Sequence, residues 1–288
     1  MPDKFSATWV SHSSIGDFTT CPRAYYLKNI YRSPESGNKM QIMSPALALG
    51  QIVHQVLEGL SVLPTDERFT KPLLERYEQE WKRISGERGG FRDDQEEERY
   101  KERGRRMLQR VQQHPGPLKE KAVKLQADLP YYWLSEEDEI ILCGKIDWLQ
   151  YLPDDDAVSI LDFKTGRHKE KADSLQLPIY LLLTTYTQKR TVAGASYWYL
   201  DAEDAPEKQV LPDIDAAYEC VFTIAKKIRT ARKLERFVCP QGKKGCRSCR
   251  PFEHILLGNA YFVGVGGYKQ DIFILIEEEK NTRESVIL

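Results

Sequence analysis

Along the 288 residues the spacing of apolar positions switches between two periods, and the switches mark the elements. In "PALALGQIVHQVLEGLSVL", Leu49, Ile52, Val53, Val56, Leu60 and Leu63 recur at the spacing of one buried helix face. Before it, "SHSSIGDFTTCPRAYYLKNIY" opens with serines suited to capping. Ser14 and Asp17 match a capping box there, and the helix is expected to run past Tyr25 and Tyr26. Residues 66–113 mix both charge signs in "ERGGFRDDQEEERYKERGRRMLQR" and offer few apolar positions. They read as exposed helices, a flap broken near Gly89 and Gly90.

The period then becomes two. "AVKLQADLPYYWL", "EIILCGKIDWLQYL" and "AVSILDF" read as a strand meander, with "SEED" and "PDDD" as turns. A helix "SLQLPIYLLLTTYTQ", a strand "TVAGASYWYL" and a long helix from about Asp213 to Phe237 follow. Beyond them, "AYFVGVGGYKQDIFILIEEE" reads as two strands around a glycine-containing turn. Helices, strands, helix, strand, helix: this order predicts an α/β fold with a mixed sheet flanked by helices.

With 41% apolar and 30% charged residues the chain has the makeup of a globular protein able to bury a sizeable core. No apolar run approaches the roughly 20 residues that cross a bilayer, and "MPDKFSATWV" lacks the plan of a signal peptide, so a cytoplasmic protein without a membrane partner is expected. Net charge is only −1, but Lys226, Lys227, Arg229, Arg232, Lys233, Lys243 and Lys244 crowd one stretch. Such a field suits a polyanion, and equally a solvated basic face.

The stretch "ILDFKTG" carries the chemistry. A strand period of two puts Asp162 and Lys164 on one side of the sheet. Asp147 ends the apolar stretch before it, and neighbouring strands lie about 5 Å apart, so the two carboxylates can converge. Converging carboxylates suit Mg²⁺ or Mn²⁺, and a lysine beside them can hold water or stabilise charge developing on a phosphate. His54 follows Gly50 by one helical turn, where the missing side chain lets another group approach. Taken singly, each of these residues also fits a bland structural role. Tyr25, Tyr26, Tyr197, Trp198 and Tyr199 read as core.

"GQIVH", "GKIDWL", "ILDFKTG" and "QLPIY", in this order and with "SHSSIGDFTTCPRAYYLKNI" in front, resemble the PD-(D/E)XK nuclease superfamily. Within it they resemble the branch of the RecB and AddB nuclease domains and the CRISPR-adaptation exonucleases. The resemblance spans about Ser11 to Cys249 and implies a restriction-endonuclease-like mixed β-sheet core flanked by helices. It implies that His54, Asp147, Asp162 and the Phe163 carbonyl bind the divalent metal, with Lys164 orienting or activating water. Gln176 and Tyr180 would meet the nucleic-acid backbone, and Glu58 would join an outer shell. The nuclease domain would cover residues 1–258, with a helical insertion at 66–113, a cysteine region at 237–252 and a β-hairpin extension at 259–288.

Of six cysteines, Cys143 and Cys220 lie among apolar neighbours and are expected to be buried thiols. Cys246 and Cys249 form a C-x-x-C chelate, Cys239 supplies a third thiolate, and Cys21 is the natural fourth. In the branch named above, one N-terminal and three C-terminal cysteines hold a [4Fe-4S] cluster that joins the two ends of the domain. This chain departs from that pattern: Ile255 stands where the last cysteine is usual, and Cys239 lies upstream instead. Zn²⁺ therefore stays open as the alternative.

The leading expectation is a metal-dependent DNA nuclease, an exonuclease on single strands or free ends, in recombination, repair or CRISPR adaptation. A helicase, integrase or other subunit is a compatible partner. The alternative is a non-catalytic nucleic-acid-binding or assembly subunit that keeps the fold. An oxidoreductase finds no support, because no glycine-rich dinucleotide turn is present.

Overall fold

The computed structural model describes residues 3–125 and 127–276. Strand β1 (Thr8–Val10) leads into α1 (His12–Thr20) and the short α2 (Pro22–Tyr25). After β2 (Lys39–Ile42) come α3 (Pro45–Glu58), α4 (Leu73–Trp81) and α5 (Asp94–Gln113). Strands β3 (Tyr131–Ser135), β4 (Ile140–Cys143), β5 (Trp148–Leu152) and β6 (Ala157–Lys164) precede α6 (Gln176–Thr187). The chain continues through β7 (Val192–Tyr199), β8 (Glu207–Gln209), α7 (Ile214–Lys233), α8 (Arg250–Leu256), β9 (Ala260–Val265) and β10 (Gln270–Leu275).

The fold is mixed α/β, and its strands divide among three small sheets. The central one has the order β5-β6-β7-β8, with β6 and β7 parallel across the α6 crossover and the outer pairs antiparallel. A second sheet, β1-β4-β3, and a third, β2-β10-β9, flank it. The segment expected as one strand, "EIILCGKIDWLQYL", therefore breaks at Gly144–Asp147 and serves two sheets. Residues beyond Ile276, the end of the expected hairpin, lie outside the described residues.

β6 is buried along most of its length, and its alternation sorts two cores. Leu161 and Phe163 pack with Trp148, Trp198 and the buried faces of α3, α4 and α5. Ile160 packs with α6, α7 and Ile15 of α1. Helices α4 and α5 are not the exposed flap that their charge suggested. Leu73, Tyr77, Trp81, Met107, Leu108 and Val111 are buried against α3, a narrow apolar stripe that the surrounding charges mask in the sequence.

At the amino end, Ser11 rather than Ser14 is the N-cap of α1; the Ser11 hydroxyl accepts from the Ser14 amide, and Ser14 closes the box in return. Asp17 instead pairs with Lys28 at 2.6 Å and Asn29 at 3.1 Å. The helix also stops at Thr20. Cys21 takes extended backbone, caps α2, and the turn continues as a π-helix over Tyr26–Ile30. That interruption aims Cys21 at the distant cysteines.

Candidate active site

The site forms where β6 ends, between α3 on one side and α6 on the other. From α3, His54 faces Asp147, with Nδ1 3.2 Å from Oδ2, and stands 3.9 Å from Glu58 one turn further on. Asp147, just before β5, is fixed by the Phe163 amide, which donates to the same Oδ2 at 2.9 Å. His54, Glu58 and Asp147 bring one ligand atom each within 4.8 Å of one another, a group able to hold a cation. Glu58 thus belongs to the ligand group, a stronger place than the outer shell assigned to it. Lys145 pairs with its other oxygen.

Asp162 stands beside this group, on the α6 side of the sheet. Its Oδ1 accepts from Gln176 Nε2 at 2.8 Å, and its Oδ2 lies 2.9 Å from Lys164 Nζ. That Oδ2 is buried and accepts no well-aligned hydrogen bond. Asp162 is not one of the three residues whose ligand atoms cluster, but its buried Oδ2, met by Lys164 alone, adds a hard oxygen donor at the same strand end, so these residues fit Mg²⁺ or Mn²⁺. Lys164 also pairs with Glu170 at 3.0 Å and donates to the Gln176 side-chain oxygen. Asp162 and Lys164 share a side of β6, as their spacing requires.

Gln176 and Tyr180 are both buried, and Gln176 Nε2 also donates to the Tyr180 hydroxyl at 3.2 Å. Gln176 bonds both Asp162 and Lys164, and Tyr180 in turn accepts from Gln176. Gly50 serves as its sequence position suggested: a Cβ there would sit 3.2 Å from Thr165 Oγ1, so the loop after β6 rests against α3. From α5, Arg103 reaches the same loop, donating to the Thr165 carbonyl at 2.7 Å and to Asp201 at 2.9 Å. Sequence reasoning missed Arg103 and Glu170, since nothing local marks either.

Electrostatics follow burial. Burial, then the Asp147 charge, pushes the Asp162 carboxyl up to about 6, against the pull of Lys164 and His54. Burial works against the protonated His54 imidazole, but Asp147, Asp162 and Glu58 outweigh it and raise its pKa. Burial likewise opposes charge on Lys164, and Asp162 and Glu170 overcome it. Glu58 is raised by burial despite Lys145. Glu58, Asp147 and Asp162 thus crowd negative charge that a cation would relieve.

His54, Glu58, Asp147 and Thr165 line a cleft of about 1270 Å³. Its cations are Arg83, Arg88, Lys124 and Lys145, and its far wall is the β9–β10 turn with Tyr268. The basic residues singled out in the sequence lie elsewhere. Lys226, Lys227, Lys233, Lys243 and Lys244 are exposed outside this cleft. Arg229 pairs with Asp138 at 3.1 Å, and Arg232 reaches the Tyr25 hydroxyl at 3.5 Å. Helix α7 packs with α6, on the other face of the sheet from α3.

At the other centre, Cys21, Cys239, Cys246 and Cys249 are buried together, with their sulfurs within 4.8 Å of one another. Ala24, Leu27, Met40 and Phe252 surround them, and Arg23 pairs with Glu253 across the two ends of the chain. Ile255 takes no part in the thiol group. Cys143 is buried as expected, but Cys220 is exposed on α7. In a four-iron cluster each thiolate sits on a different corner, so the sulfurs stand about 6 Å apart. Four sulfurs within 4.8 Å do not fit that group.

No helix among the described residues is long and apolar enough to cross a membrane. The family model for the PD-(D/E)XK nuclease superfamily matches residues 9–253. Among solved structures the chain is similar to a crystal structure named "Putative exonuclease" from Eubacterium rectale. Identity is 13%, with 84% of this chain and 87% of that chain covered, and the TM-score is 0.49. No curated protein matches.

Proposed function

The chain belongs to the PD-(D/E)XK nuclease superfamily, and on that premise we propose that it is a divalent-metal-dependent deoxyribonuclease cutting phosphodiester bonds by hydrolysis. One observation carries this reading: His54, Glu58 and Asp147 gather beside the buried Asp162–Lys164 pair at the mouth of a cation-lined cleft. His54, Glu58, Asp147 and Asp162 would hold Mg²⁺ or Mn²⁺, which when bound would supply Lewis acidity toward a phosphate oxygen and lower the pKa of water.

The chain's own groups do the rest. The Phe163 amide fixes the rotamer of Asp147, and Gln176 fixes Asp162. Lys164 carries a positive charge to the reacting centre, where it donates to water or to the charge developing on phosphate. Arg83, Arg88, Lys124 and Lys145 draw the polyanion into the cleft. Tyr268, 80% exposed on the wall of the same cleft, offers a ring on which an unpaired base can stack.

The motif order and the one-plus-three cysteines support a place beside the RecB, AddB and CRISPR-adaptation branch, hence an exonuclease on single strands or ends in recombination, repair or adaptation, acting in the cytoplasm with a helicase or integrase partner. The test is digestion of labelled linear and circular DNA, single- and double-stranded, alongside RNA, in Mg²⁺, Mn²⁺ or EDTA. Metal-dependent loss of linear single strands with circles spared is expected. Binding without cleavage in any metal would sink the enzyme reading and favour a non-catalytic binding subunit.

A further inference from the structure

We infer that the four-cysteine centre holds a single tetrahedral Zn²⁺ in place of an iron–sulfur cluster. The first argument is distance. A zinc–thiolate bond of about 2.3 Å puts the corners of a tetrahedron about 3.8 Å apart. Cys246 and Cys249 are 3.8 Å apart sulfur to sulfur, and all four sulfurs fall within 4.8 Å. The volume between them admits one ion and excludes a cube of irons and sulfides.

The second argument is the second coordination layer. Each sulfur lies within reach of one backbone amide: Ala24 to Cys21, Gln241 to Cys239 and Ser248 to Cys246, all at 3.4 Å, and Cys246 to Cys249 at 3.1 Å. Amide donors distributed one per sulfur stabilise four thiolates around a small dication. The third argument is the ligand order. Cys239 replaces the downstream cysteine and closes a short loop of Gly242–Lys244 back onto Cys246, so the C-terminal ligands converge on one point. Cys21 arrives from the break between α1 and α2, 218 positions before Cys239. The ion is structural: all four positions are taken by protein, leaving none for substrate.

The test is elemental analysis of full-length protein purified without oxygen, with sulfide assay, visible absorption and X-ray absorption at the metal edge. About one zinc per chain, no sulfide, no visible band and four sulfur neighbours at about 2.3 Å are expected. Brown protein with about four irons and matching sulfide would overturn the inference. So would a single iron on the four thiolates. To separate bound from adventitious zinc, Cys239→Ser is compared with Cys143→Ser. Zinc content should drop only in the former, and equal zinc in both would overturn the assignment. None of these readouts depends on nuclease activity.

Discussion

Asp162→Asn is the perturbation from which the resting site can be read most directly. In the folded chain this carboxyl moves from its ordinary 3.8 to about 6, because it is buried beside Asp147. A folded pKa above the unfolded one means that the folded state holds the proton more tightly. The contribution therefore favours folding at low pH and is lost as pH rises through about 6. The separation of the two values is worth about 3 kcal/mol over the full range, about 2 kcal/mol of it between about pH 4.5 and pH 7.5. Asparagine does not titrate. Its loss of the Lys164 pair shifts the variant's stability at every pH, and Glu170 at 3.0 Å still accompanies the ammonium. Urea denaturation in EDTA at the two pH values isolates the slope. Wild type minus variant should fall by about 2 kcal/mol from the lower to the higher pH, and Mg²⁺ should restore wild type alone. A difference independent of pH would refute the claim that burial and Asp147 outweigh Lys164 at the Asp162 carboxyl.

Other perturbations probe the frame. Arg103→Met removes both the Asp201 pair and the bond to the Thr165 carbonyl, so stability should fall by about 2 kcal/mol, measured by chemical denaturation; an unchanged midpoint would show that the clamp does not hold the loop. Gly104→Ala would place a Cβ 2.1 Å from the Tyr77 hydroxyl oxygen, and a loss of about 2 kcal/mol is expected. If that variant matches wild type, α4 and α5 are packed more loosely than described. A thiol reagent should modify Cys220 promptly in native protein, and the four clustered cysteines only after unfolding or chelation, as mass mapping can follow; rapid modification of Cys246 would contradict a metal-bound, buried centre.

The parts of this molecule legible in the sequence are those governed by near neighbours. The period of two through Asp162 and Lys164 fixes their shared side, and the 3.6-residue period of α3 fixes its buried stripe. Gly50 announced a close approach. What sequence concealed depends on distant partners. α4 and α5 bury a stripe too narrow to stand out among charges, and Arg103 finds its partners 62 and 98 positions away. Glu58 joins the ligand group only because α3 ends against the break between β4 and β5. Composition showed a basic stretch, but the side of the sheet on which α7 packs could not be read from charge alone.

The central claim, that the residues at the end of β6 make a metal-dependent nuclease, is tested most directly by single-turnover cleavage of end-labelled DNA with wild type and Lys164→Ala, with DNA and Mn²⁺ binding measured on both. Wild type should cut in Mg²⁺ or Mn²⁺ and not in EDTA, while the variant binds both and cuts slower by about 10²-fold or more. Equal cleavage by both proteins, or equal binding with no cleavage by either, would contradict the account.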